Sequence, residues 1–156
     1  MSDQFISSFT YVGSAIKNFQ LHNTLNRITD NQDIQRELKV SHQLGQINHV
    51  VEEKLLFGTV TLFIEVHMSC EEREYNISLE IEGGFCIPDQ MEETLFQKML
   101  LNNGIASLFS IARGFIQSTT AQTLLEGSVL LPMFNVAAYS KAVEEEEAEH
   151  PIAAEE

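Results

Sequence analysis

The spacing of apolar and polar residues changes period midway along the chain. Ile34, Leu38, Val40 and Leu44 fall on even positions, with Arg36 and His42 among them, while Gln35, Glu37, Lys39, Ser41 and Gln43 take the odd ones. This alternation of period two predicts a strand with one side toward a core and one toward water. Phe9 to Leu21 alternates less cleanly, with Phe19 and Leu21 on one side and Val12 and Ile16 on the other. Leu55 to Met68 is a strand of another kind. Its even positions (Leu56, Val60, Leu62, Ile64, Val66, Met68) are apolar, and so are Leu55, Phe57 and Phe63 among the odd ones. An antiparallel strand usually keeps one wet face, so something must cover this one's second side. Tyr75 to Glu82 alternates cleanly again, and Gly83-Gly84 is expected to end it as a bulge or turn.

From there the period is helical. Asp89 with Glu92 three residues on makes a capping-box pattern, followed by Met91, Leu95, Phe96, Met99 and Leu100. Asn102-Asn103-Gly104 is expected to break that helix. A second helix carries Ile105, Leu108, Phe109, Ala112 and Ile116 on one stripe. Gly127 to Asn135 reads as irregular around Pro132, and a last helix runs from Val136 to about Glu147. Four strands followed by helices predict an α+β domain with an antiparallel sheet. Its surplus of apolar positions points to self-association or a binding groove, because monomers rarely leave large apolar patches in water.

Composition narrows the partners. The chain has 156 residues and a formal charge of −14, from 23 acids against nine Lys and Arg. Seven of those acids lie in residues 144–156, which hold no Lys or Arg. The length predicts one domain over residues 1–143, followed by an acidic tail over 144–156 expected to be disordered, as are the residues before Phe9. Nucleic acid is a poor partner for such a charge, since phosphate binding depends on basic side chains, and an anionic membrane surface is disfavoured likewise. No run approaches the 18 or more apolar residues of a membrane span, and Met1-Ser2-Asp3-Gln4 lacks the charged and apolar regions of a signal peptide. Cys70 and Cys86 have neither CxxC spacing nor disulfide-scaffold density. A reducing cytoplasm is the expected compartment, and the Asn76-Ile77-Ser78 sequon reads as chance.

No catalytic constellation is visible, and the chain is not expected to be an enzyme. It has no phosphate-binding loop of the G-x-x-x-x-G-K-[ST] type, and its five histidines show no metal-ligand spacing, so neither cofactor nor metal is expected. His67 and Cys70 are near in sequence, but a strand-end histidine beside an ordinary cysteine is the preferred reading. The pairs Glu52-Glu53, Glu71-Glu72 and Glu92-Glu93 read as solvated charges. Arg113 borders the apolar stripe of the second helix; it either pairs with an acid of the sheet, the preferred reading, or holds a ligand carboxylate.

The stretch from Leu55 to Asn135 resembles the SecB family of export chaperones. Carrying the resemblance are the strand around Gly58-Thr59-Val60-Thr61-Leu62, a following strand ending Gly83-Gly84-Phe85 with Ile87 just beyond, and Asn103 ahead of Leu108-Phe109-Ser110-Ile111-Ala112-Arg113. The last is similar to the family's Leu-Phe-Pro-x-Ala-Arg, with Ser110 in place of proline; Ile116, Ser118 and Leu130-Leu131-Pro132-Met133-Phe134-Asn135 follow. The resemblance implies a four-stranded sheet with helices on one side, assembled as a dimer of dimers. It also implies an ATP-independent holdase that keeps unfolded or precursor polypeptides competent for export through SecA, or one dedicated to a single partner such as an antitoxin. On this reading Leu55, Phe57, Phe63, Leu131, Met133 and Phe134 line one client groove, although each is also readable as ordinary core. Ile77, Leu79 and Ile81 form the oligomer interface, the inner face of the sheet being the plainer reading. Ile16 and Gln20 stand where acids that contact SecA are expected, which leaves Glu80 and Glu82 for that role. The rivals are a small-ligand protein using Arg113, His67 and nearby acids in a cavity between sheet and helices, and an adaptor for one folded partner.

Overall fold

Alternation along the two longest strands decides the architecture of the computed structural model, which describes residues 7–149. β4 (Leu55–Cys70) and β5 (Arg73–Pro88) form one antiparallel hairpin, in register from Leu55 opposite Pro88 to Cys70 opposite Arg73. Even residues of β4 meet odd residues of β5, so Leu62 and Ile81, Ile64 and Leu79, and Val66 and Ile77 share one buried face. β1 (Thr10–Asn23) pairs with the far side of β5, and β2 (Gln35–Leu44) with the far side of β4. The order is β1-β5-β4-β2, with a short β3 (Asn48–Val50) continuing along β4 beyond the end of β2. Five strands thus build a sheet four strands wide, its β2 edge interrupted at Gly45–Ile47.

The helices lie on one face, as the family resemblance implies. Their layout departs from the sequence reading at three places. α1 (Glu93–Met99) starts later than the capping box suggests; its N-cap is Glu92, which makes no side-chain cap bond, while Asp89 instead meets His49 Nε2 at 2.8 Å. Asn102-Asn103-Gly104 breaks nothing. Leu100–Gly104 is a π-helical turn that leads straight into α2 (Ile105–Thr123). The wider turn takes back part of the rotation that buried residues at four-residue spacing accumulate on a 3.6-residue helix. Phe96, Leu100, Gly104, Leu108, Ala112 and Ile116 are therefore all buried against the sheet. The continuous helix is long and apolar enough to cross a membrane by composition, yet its apolar stripe belongs to this core.

The third departure is Gly83-Gly84, which sits inside β5 rather than ending it. The two glycines face opposite sides. A Cβ on Gly83 would stand 2.6 Å from Leu108 of α2, and one on Gly84 would stand 3.0 Å from the ring of Phe57. One glycine lets the helix approach, and the other seats an aromatic ring on the face away from the helices.

Ile77, Leu79 and Ile81 are only 3%, 1% and 1% exposed, beneath the helix layer. The plainer reading of them was the right one: strand alternation places them in the protomer's own core, with no surface to offer another copy. α3 (Val136–Glu149) buries no residue and carries the acidic run to Glu149, so residues 144–149 are helical rather than part of a disordered tail. Residues 1–6 and 150–156 lie outside the described residues.

Candidate functional site

β2 overreaches the helix layer. Leu38, Val40, His42 and Leu44 face the helix side but stay half-buried, because the π turn and α2 pack over β4 and β5. The segment 124–135, which connects α2 to α3, closes part of that gap. Its start is tied to the β1–β2 connection: Leu125 N–H donates to the Asn26 carbonyl (2.8 Å) and Ile28 N–H to that of Glu126 (2.9 Å). Gly127 turns the chain at φ +88°, where a Cβ would stand 2.2 Å from the Ile28 carbonyl oxygen; only glycine fits. Thr120 Oγ1 donates to the Ile116 carbonyl at 2.7 Å and accepts from Val129 N–H at 2.8 Å. Arg113 Nε donates to the Leu131 carbonyl at 2.8 Å.

These backbone anchors hold the segment off the sheet and leave a cavity of about 440 Å³ between them. Leu38, Val66 and Met68 form its sheet wall and Val129, Leu130 and Leu131 the opposite one, with Arg36 and Arg113 on its lining. Arg113 also borders an adjoining shelf of about 270 Å³ with Phe109, Met133 and Phe134. There Phe134 stacks on Phe109, ring centroids 4.5 Å apart. The row begun by Leu38 continues through Val40 and His42 beneath α3, where it meets the shelf at Tyr139, whose ring centroid lies 5.3 Å from that of Phe134. Tyr139 shares a 2.6 Å hydrogen bond with His42 Nδ1, and Ser140 Oγ donates to Asn102 Oδ1 at 2.7 Å. Burial lowers the His42 pKa below its usual value, against the opposing pull of Glu147, and burial with Glu146 raises that of the Tyr139 hydroxyl.

The six residues expected along one groove divide between the two faces of the sheet. Leu131, Met133 and Phe134 lie on the helix side: Leu131 is buried, Phe134 is half-buried, and Met133 is 83% exposed. Leu55, Phe57 and Phe63 are odd residues of β4 and half-buried on the opposite, outer face. The single groove expected of the set is not formed, because a strand cannot turn both residue parities to one side. Glu80 and Glu82 share the outer face, Glu82 lying 3.8 Å from Lys17 Nζ. His67 is there too, hydrogen-bonded to Asn76, so it does not converge with Arg113 on any small-ligand cavity. Among the described residues no cluster of three or more metal-ligating side chains occurs.

The sequence reading missed Leu38, Met68 and Leu130 as lining residues. Alternation marked Leu38 and Met68 as inward-facing, but only the placement of segment 124–135 separates cavity wall from core.

No family model and no curated protein sequence matches the chain. Its fold is similar to that of a SecB-like chaperone from Mycobacterium tuberculosis, solved in complex with a ChAD peptide from an antitoxin. The two superpose with a TM-score of 0.65 at 10% identity, over 81% of this chain and 91% of that one.

Proposed function

We propose that this chain is an ATP-independent holdase that takes extended segments of unfolded polypeptide into the groove between β2 and segment 124–135. The observation that carries the reading is that groove: an apolar cavity open to solvent, flanked by the exposed side chains of Leu130 (53%) and Met133 (83%). Apolar side chains of an extended chain fill such a cavity, and the half-covered edge strand beside it offers main-chain groups to the chain's backbone. Adaptable leucine and methionine contacts suit more than one client sequence. The likeness to a SecB-like fold solved with an antitoxin peptide supports a polypeptide client, and a chaperone dedicated to a single partner of antitoxin type is the alternative to general export. Delivery to SecA through Glu80 and Glu82, a cytoplasmic location and the absence of enzymatic activity belong to this proposal too. So does a homotetramer, with the unpaired edge of β1 as a surface left for association. The test is binding of a permanently unfolded, reduced and alkylated protein. The wild-type chain should retain it and the Leu130→Glu/Met133→Glu variant should not; equal retention would remove the groove from the account.

A further inference from the structure

Resting on the groove reading just given, the geometry points to a narrower client class: extended apolar segments that carry an acidic side chain, recognised by Arg36 and Arg113. In a chain of net charge −14 with only four arginines, two line this one cavity. Neither takes part in an ion pair among the described residues, whose pairs use Lys17, Lys39, Lys141, His22 and His49. Glu37 is the acid on the lining, but it belongs to the outward parity of β2 and its carboxylate lies 3.4 Å from Lys39 Nζ.

Arg113 is held in place. Its Nε is committed to the Leu131 carbonyl, which fixes the guanidinium plane, and no described group accepts from its Nη atoms. Apolar walls strengthen a charge-assisted bond formed against them and raise the cost of leaving the guanidinium without an acceptor. A purely apolar segment would remove water from both arginines and return nothing; a carboxylate returns forked hydrogen bonds and neutralises the charge. Beyond the arginines the shelf of Phe109 and Met133 and the row of Val40 and His42 lie toward the same end of β2 and meet at Tyr139, which bonds His42 and lies 5.3 Å from the Phe134 ring, so apolar contacts for the rest of the segment extend that way.

The test is fluorescence anisotropy of the full chain with short, amidated peptides rich in leucine and phenylalanine. The peptides differ only in a central Glu, Gln or Lys, and a fourth carries Gln with a free C-terminal carboxylate. The Glu peptide should bind about tenfold tighter than the amidated Gln peptide, as charge-assisted hydrogen bonds of this kind imply, and the Lys peptide should bind weakest. Arg36→Gln, an exposed position that anchors no backbone, should cut the Glu-to-Gln ratio to about threefold or less, whereas Arg113 variants also release segment 124–135. Equal binding of the Glu and Gln peptides would overturn the acidic-client inference and leave the groove reading standing. A free-carboxylate Gln peptide matching the Glu peptide would overturn the assignment of the carboxylate to a side chain. Failure of every peptide to bind would remove both.

Discussion

Two glycines that touch the same helix make opposite demands on a side chain. At Gly83 an added methyl would press into Leu108 at 2.6 Å and the Phe85 ring at 3.1 Å, so Gly83→Ala is expected to cost about 1–3 kcal/mol in urea unfolding, typical of overpacking. Gly114 lies within α2 with open space beyond it, and Gly114→Ala is expected to gain up to about 1 kcal/mol through helix propensity. Thr120 is the buried polar residue of the described core, and its hydroxyl both caps the Val129 N–H and satisfies itself on Ile116. Thr120→Val keeps the volume but orphans that N–H, with an expected loss of about 1–3 kcal/mol and faster hydrogen exchange at Val129. Leu79→Glu addresses the corrected interface: at 1% exposure beneath the helices it should prevent folding outright rather than divide an assembly, as circular dichroism would show. Which inward residue serves the core and which another copy is not written in a strand's alternation, because both kinds point away from water.

At the scale of elements, α3 is held by contacts of a different kind from the rest. It buries none of its residues, and its attachment includes the His42–Tyr139 bond, the Ser140–Asn102 bond and Tyr139 against Phe134. The groups facing His42 from α3 are Tyr139, Glu146 and Glu147. Burial depresses the His42 pKa in the docked state, so the undocked state binds the proton more readily. The sign follows: the docking contribution is complete above the ordinary histidine range and is lost as pH falls through it toward the lowered value. Protection of the α3 amides, measured relative to their intrinsic exchange rates, should therefore fall as pH drops from about 7.5 to 5.5, and His42→Gln should flatten that dependence; an unchanged pH dependence in the variant would place the cause elsewhere.

The strand-then-helix order was legible because β2, β4 and β5 are regular. β1 looked ambiguous for a physical reason, since register shifts between Tyr11 and Gly13 and between Ile16 and Asn18 reset its parity twice. β3, at three residues, is too short to show a period, and the π turn hid behind Asn102-Asn103-Gly104 because those residue types more often end a helix. Of the candidate site, the apolar character of Leu131, Met133 and Phe134 was readable. Their separation from Leu55, Phe57 and Phe63 was not, since it depends on which face of the sheet the helices cover.

For the whole molecule, the charge of −14 and the groove belong to one account. On the proposed function, an acidic surface keeps a client-loaded complex in solution, while the groove supplies the attraction. The outer face, with Leu55, Phe57 and Phe63 half-buried, and the open edge of β1 remain for self-association. The central claim is tested most directly by diluting a slow-folding protein from denaturant, without nucleotide, into a molar excess of this chain. Refolding should stall, resume on addition of an unfolded competitor, and proceed unhindered with the Leu130→Glu/Met133→Glu variant. Refolding at the same rate with and without the wild-type chain, across the concentration range, would contradict it.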